Sequence, residues 1–218
     1  MRTYIDEEAL MKLIQRQGYL DFLRRNRNRP IVKVVSGIRR CGKSTLFRLF
    51  KDELLSEGVK PEQIISINFE ELEYEHLRDY HALYQYILER MQPDEMNYIF
   101  LDEIQHVDQF HRVVDSLFVK ENTDLYITGS NAYFMSSDIA TLLTGRYVEI
   151  QMLPLSFSEF YHSKYDGNQY SLIPAYESYL RESSFPYTQQ LGGEDFDIQE
   201  YLRGLSLIHI SEPTRLRC

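Results

Sequence analysis

The chain has 218 residues, 43% of them hydrophobic and 26% charged, which is the composition of one soluble domain with room for the start of a second. No apolar run approaches the roughly eighteen residues of a membrane span, and the opening Met1 to Glu8 lacks the apolar stretch of a signal peptide, so a transmembrane or secreted protein is not expected. Cys41 and Cys218 are too few for a disulfide framework or a cysteine-built zinc site, which points to a reducing compartment, the cytoplasm by default.

The net charge of −9 is unevenly spread. Residues 1–60 hold 14 Lys and Arg against 7 Asp and Glu, whereas residues 61–204 hold 8 against 25. A basic head attracts phosphates, on a nucleotide or a nucleic acid, while the acidic remainder opposes uniform wrapping of DNA. The head from Arg24 to Arg40 is therefore a candidate contact for nucleic acid or a protein partner, weighed against simple solvated charges on helix faces.

In chain order, Leu10, Leu13, Ile14, Leu20 and Leu23 stand at helical spacing and predict two short helices, closed by the basic linker Arg24 to Pro30. The β-branched run Ile31 to Val35 predicts a buried strand. A glycine-bounded loop follows, then a helix carrying Leu46, Leu49, Phe50 and Leu54, ended by Gly58 and Pro61. Ile64 to Asn68 reads as strand two. Tyr80, Leu83, Tyr84, Ile87, Leu88 and Met91 form the stripe of an amphipathic helix. Strand three, Tyr98 to Leu101, runs into Asp102-Glu103, and Phe110, Val113, Val114, Leu117 and Phe118 repeat the helical stripe. Leu125 to Thr128 makes strand four, a short helix is expected near Ile139 to Leu143, and Tyr147 to Met152 makes strand five. Strands alternating with helices imply an α/β fold with parallel pairing and right-handed crossovers.

Beyond strand five, Ser156 and Glu159 have the spacing of a capping box that starts another helix. The polar run Lys164 to Gln169 places a domain boundary within 162–172. The expected divisions are N-terminal helices and linker at 1–30, a nucleotide-binding core at 31–162, and the start of a truncated C-terminal region at 163–204. Leu205 to Arg215 resembles the translation of a transposase-type sequencing adapter, so 205–218 is expected to be an artefactual tail and the natural protein to be cut near Gly204.

The decisive motif is Gly37-Ile38-Arg39-Arg40-Cys41-Gly42-Lys43-Ser44-Thr45, a match to G-x-x-x-x-G-K-[ST] set after a strand and before a helix. Gly37 and Gly42 permit backbone angles that turn successive N–H groups inward around a phosphate. The helix that starts there adds unpaired donors and the positive end of its dipole. Lys43 can reach the outer phosphates of ATP and the Ser44 hydroxyl can ligate Mg²⁺. Chance yields such a pattern in about one chain in a hundred of this size.

A phosphate loop alone leaves kinase, GTPase and ATPase open. The pair Asp102-Glu103 offers one carboxylate to a metal shell and a second to orient or deprotonate water, against the plainer reading of a helix N-terminus. The chain lacks the Asn-Lys-x-Asp element that a GTPase needs to read its base.

Taken together with Thr128-Gly129-Ser130-Asn131, Thr144-Gly145-Arg146 and Leu153-Pro154-Leu155-Ser156-Phe157-Ser158-Glu159-Phe160, these motifs resemble the prokaryotic AAA-type ATPases that carry an uncharacterised C-terminal domain. The resemblance covers about residues 1–190, and the Leu-Pro-Leu-Ser-Phe segment is its most particular part. It implies a P-loop NTPase three-layer sandwich, with a parallel sheet of additional-strand type in the order 5-1-4-3-2 and helices on both faces. It further implies a sensor at Ser130 or Asn131, and Arg146 as a transition-state arginine or subunit contact. The competing readings are a turn residue for Asn131 and a surface ion pair for Arg146. This chain departs from the family in carrying Ser183-Ser184 where such proteins usually have two glycines.

Three weaker features complete the reading. Cys41 is either a thiol activated by Arg39, Arg40 and the helix start or a passive one. His106 and His111 beside Asp108 make a loose metal-like cluster, and Glu70, Glu71, Glu73 and Glu75 an acidic run read as solvated. The leading expectation is an Mg²⁺-dependent ATPase driving a C-terminal module. The alternative is a slow nucleotide-dependent switch engaging nucleic acid or a protein through the basic head. The oligomeric state is not legible.

Overall fold

A computed structural model describes residues 16–129, 145–165, 170–182 and 184–190, with isolated positions at 14, 143, 200, 202 and 203. The chain divides into two compact units, one spanning Arg16–Leu153 and one comprising 1–15 with Pro154–Cys218.

In the first unit five parallel strands, β1 (Val32–Gly37), β2 (Ile64–Asn68), β3 (Asn97–Asp102), β4 (Thr123–Gly129) and β5 (Tyr147–Met152), form one sheet in the order β2-β3-β4-β1-β5. This is the 5-1-4-3-2 order expected of the additional-strand type. All of β1 and β3 is buried, as required of central parallel strands covered on both faces. Among the described residues, four helices flank them: α1 (Gln17–Asn26), α2 (Lys43–Ser56), α3 (Tyr80–Leu88) and α4 (Phe110–Phe118).

Strand alternation sorts the two cores. Val32 and Val34, Ile65 and Ile67, Ile99 and Leu101, and Leu125 and Ile127 face the layer containing Leu83 and Ile87 of α3 and Phe110, Val113, Val114 and Leu117 of α4. Val35, Tyr98, Phe100 and Tyr126 face the other layer, with Leu20 and Leu23 of α1 and Leu46, Phe47, Phe50 and Leu54 of α2. Phe100 and Tyr126 stack there with ring centroids 4.7 Å apart, and Phe47 meets Phe100 edge-on at 5.2 Å. The helix predicted over Tyr80 to Met91 ends sooner, at Leu88; Asp79 caps its start by accepting from Ala82 N at 2.9 Å. The expected helices before Gln15 and near Ile139 lie outside the described residues, as does the 205–218 tail.

The second unit contributes α5 (Phe157–Tyr165) and α6 (Leu172–Glu182). The capping box is present: Glu159 N donates to Ser156 Oγ at 3.2 Å and Ser156 N to Glu159 Oε2 at 2.8 Å. Phe160 packs edge-on against Tyr179, and Lys164 pairs with Glu182. The first unit closes at Leu153, and in the second α5 buries its Phe160 against α6.

One feature defies strand patterning. Lys33, on central β1, is wholly buried and paired with an equally buried Asp124 of β4. Lys33 Nζ also donates to the Arg29 carbonyl at 2.9 Å, while Asp124 Oδ2 accepts from Tyr126 Oη at 2.7 Å and Asn28 N at 2.9 Å. Burial pushes the Lys33 ammonium below its usual range even with Asp124 opposing the shift. The pair ties the end of the basic linker to the sheet, and removing one partner strands the other's charge. Lys33→Met is expected to cost about 3–5 kcal/mol in urea unfolding. The double variant Lys33→Met/Asp124→Leu should recover only part of that, because Tyr126 and Asn28 lose their acceptor.

Candidate functional site at the C-terminal sheet edge

Parallel strands deliver their C-terminal ends to one edge, and β4 lies between β1 and β3. Asp102 therefore stands beside Thr128 and Thr128 beside Val35, with Gly37 two residues further along β1 on the same face. Alternation puts them on the face shared with Val35, Phe100 and Tyr126, which is the face that α2 covers. The helix begins at Lys43, so the loop from Gly37 to Thr45 crosses the edge at its own strand end.

Two backbone constraints shape that loop. A Cβ on Gly37 would lie 2.3 Å from the Met152 carbonyl oxygen, so only glycine fits where β1 leaves the sheet beside β5. Gly42, the N-cap of α2, is left-handed with φ 103°, and Arg40 shares that sign at φ 65°. Arg39 and Arg40 are exposed, and Arg39 Nη2 pairs with Glu70 at 2.5 Å, so part of the expected solvated acidic run has a partner. Ile38 is half-buried. Cys41 is buried, and burial pushes its thiol above the usual range, which favours the passive reading.

Lys43 is buried, and its Nζ donates to the Gly37 carbonyl at 3.2 Å and the Ile38 carbonyl at 3.3 Å while standing 3.1 Å from Glu103 Oε1. Ser44 is exposed beside it and Thr45 half-buried. The Asp102 carboxylate is buried and held above its usual range, chiefly by that burial, with hydrogen bonds from Ser44 and Thr128 opposing the rise. Glu103 takes a left-handed conformation, φ 55° and ψ 48°, which costs a non-glycine residue of order 1–2 kcal/mol. The turn is held by Glu103 N donating to Thr128 Oγ1 at 2.9 Å, while Gln105 Nε2 reaches Glu103 Oε2 at 2.5 Å.

The structure thus brings Lys43, Ser44, Asp102 and Glu103 together. Ser130 and Asn131 lie outside the described residues. Arg146 is not brought to the loop: it precedes β5 at the opposite end of the sheet, where Val32 N bonds its carbonyl, and its Nη1 pairs with Asp115 at 2.8 Å. A parallel strand separates its two ends by its full length, so Arg146 stands apart from this chain's own loop; the transition-state or subunit-contact role is what the resemblance implies. His106 and His111 build no metal site either; among the described residues no group of three or more His, Cys, Asp or Glu is placed to hold a metal ion.

Two residues escaped the sequence reading. Thr128, fully buried, donates to Asp102 Oδ1 while accepting from Glu103 N, so one hydroxyl fixes both acidic residues. Its signal was its place two residues beyond Tyr126 on the face of strand four that α2 covers. Arg16 is buried behind the loop and donates to the Cys41 carbonyl. Thr128→Val is expected to lose about 1–3 kcal/mol in denaturant unfolding by orphaning two buried groups, whereas Thr128→Ser retains the hydroxyl and most of the stability.

The AAA domain family matches residues 29–161 of the chain. An uncharacterized protein of Haemophilus influenzae is 42% identical over 176 residues, covering 80% of this chain and 44% of that protein. An uncharacterized protein of Methanocaldococcus jannaschii is 30% identical over 202 residues, covering 85% and 43%. The chain thus spans less than half the length of these relatives. Among solved structures, Saccharomyces cerevisiae RIF2 superposes with a TM-score of 0.51 at 14% identity over 95% of this chain and 88% of that one, a likeness of fold alone. With the strand order, the loop and the family match in agreement, the chain belongs to the AAA domain family and has its P-loop ATPase-like fold.

Proposed function

We propose that the chain binds ATP with Mg²⁺ at the Gly37–Thr45 loop and hydrolyses its terminal phosphoanhydride. The observation that carries this reading is the meeting of Lys43 and Glu103 at 3.1 Å, beside Asp102 and Ser44, at a helix N-terminus. The donors suit magnesium. A serine hydroxyl and one carboxylate are hard oxygen ligands, and a site that shares Mg²⁺ with substrate phosphates uses few of them. Asp102, buried with its charge disfavoured, gains most from a cation. Held by Ser44 and Asp102, magnesium would supply charge neutralisation at the outer phosphates.

Lys43 is the pivot. Its ammonium pairs with Glu103, and the outer phosphates compete for the same charge. As Lys43 turns to the phosphates, Glu103 is released to accept a proton from the attacking water, with its backbone still fixed by Thr128. Ser130 and Asn131, which follow Gly129 in the chain, are assigned the sensor role; Arg146 is assigned none at its own loop. Turnover drives a conformational change in the region after Leu153, and in longer relatives in the remainder of the chain.

The alternative of a basic head gripping nucleic acid loses support from internal pairing. Arg24 bonds Glu53 and Asp21, Arg27 pairs with Glu57, Lys33 with Asp124 and Arg39 with Glu70. Most of that positive charge is already met within the chain.

Glu103→Gln preserves size but removes the base. Single-turnover hydrolysis at saturating ATP and Mg²⁺ is expected to fall about a hundred- to ten-thousandfold with ATP still bound. Asp102→Asn should additionally weaken the response to Mg²⁺. Hydrolysis at the unsubstituted rate in Glu103→Gln would remove the water-activating role, and absence of turnover in the unsubstituted chain would favour a switch.

A further inference from the structure

A second buried cation reaches the loop besides Lys43. Arg16 precedes α1 and is only 5% exposed. Its Nη1 donates to the Leu153 carbonyl at 2.6 Å and to the Cys41 carbonyl at 3.3 Å, and its guanidinium carbon stands 4.4 Å from the centroid of the Tyr19 ring. Tyr19 Oη accepts from Leu153 N at 3.2 Å. Leu153 follows β5, whose last carbonyl, on Met152, is the group that crowds Gly37. Arg16 and Tyr19 thus bind the start of the unit to the residue that closes it, and Arg16 binds both to the middle of the loop.

The stereochemistry of the Cys41–Gly42 peptide gives this contact a consequence. The described peptides are trans, so a carbonyl and the following N–H point in opposite directions. A buried guanidinium holding the Cys41 carbonyl on the inner side directs the Gly42 N–H outward, toward the side on which the loop's donors must meet a phosphate. Gly42, at φ 103°, lacks a side chain to restrict that peptide itself. A hydrogen bond from a charged donor is stronger than a neutral one, and burial strengthens it further. We propose that Arg16 is the positioning residue of the phosphate loop: it presets the Cys41–Gly42 peptide for the phosphate chain of a nucleoside di- or triphosphate and locks the loop to the exit of β5. Arg16 acts through the backbone and does not touch the ligand. The inference rests on the nucleotide-binding reading above.

The test compares the unsubstituted chain with Arg16→Met and Arg16→Lys, titrated calorimetrically with ADP and separately with inorganic pyrophosphate, at a temperature well below each protein's melting point. Arg16→Met is expected to bind both about tenfold to a hundredfold more weakly, as for loss of a charge-assisted bond. Arg16→Lys keeps one donor and should recover part of that affinity. Amide spectra of ¹⁵N-labelled protein should show the Gly42 resonance responding to pyrophosphate in the unsubstituted chain and much less in Arg16→Met. A purely structural arginine would lower the melting temperature and leave the affinity of the folded protein unchanged, so folded variants with unsubstituted affinity for both ligands overturn the proposal. If Arg16→Met does not fold, Arg16→Lys carries the same comparison. If the unsubstituted chain binds neither ligand, the nucleotide reading fails and this inference with it; if it binds both and the variants match it, this inference alone fails.

Discussion

The insertion of β4 between β1 and β3 is the constraint on which the site depends. Were β3 hydrogen-bonded directly to β1, the acidic pair would abut the loop without an intervening hydroxyl. With β4 between them, Thr128 lies beside Asp102 and holds both its carboxylate and the amide of Glu103. That amide bond sustains the left-handed turn which sends the Glu103 side chain back across the edge to Lys43. Strand order, one buried hydroxyl and one unfavourable backbone conformation together set the distance between Lys43, proposed to meet the phosphate, and Glu103, proposed to activate the water.

The same edge is supported from beneath by contacts that carry no chemistry themselves. Gly37 admits the Met152 carbonyl because it has no side chain, and Arg16 grips the next carbonyl, that of Leu153. At the far end of the sheet the Lys33–Asp124 pair secures the linker that leads from α1 into β1. The polar groups buried in this unit are thus grouped at the two ends of the strands. Between them, the stacked and edge-on rings of Phe47, Phe50, Phe100 and Tyr126 fill the layer beneath α2 and keep the helix that bears Lys43 in register with the sheet.

Much of this was legible because its causes are local. The spacing of Gly37, Gly42 and Lys43, the apolar approach to Asp102-Glu103 and the Ser156/Glu159 box are each written within a few residues. What escaped has long-range causes. Arg16 is one basic residue among many in the sequence until the fold brings it to Leu153, and nothing near Lys33 in the sequence names its partner, since Asp124 arrives from β4. Arg146 shows the converse: its motif position carries a role by resemblance, while the fold sets it at the other end of β5 from its own loop and pairs it with Asp115.

The central claim is that the loop holds the phosphates of ATP through Lys43, and calorimetric titration of Mg²⁺·ATP into the full chain and into Lys43→Met tests it most directly. Loss of the ammonium removes the charge that the outer phosphates draw away from Glu103, so the account predicts measurable binding in the unsubstituted chain and at least about tenfold weaker binding in a variant that remains folded. Equal affinity in the two folded proteins would contradict it.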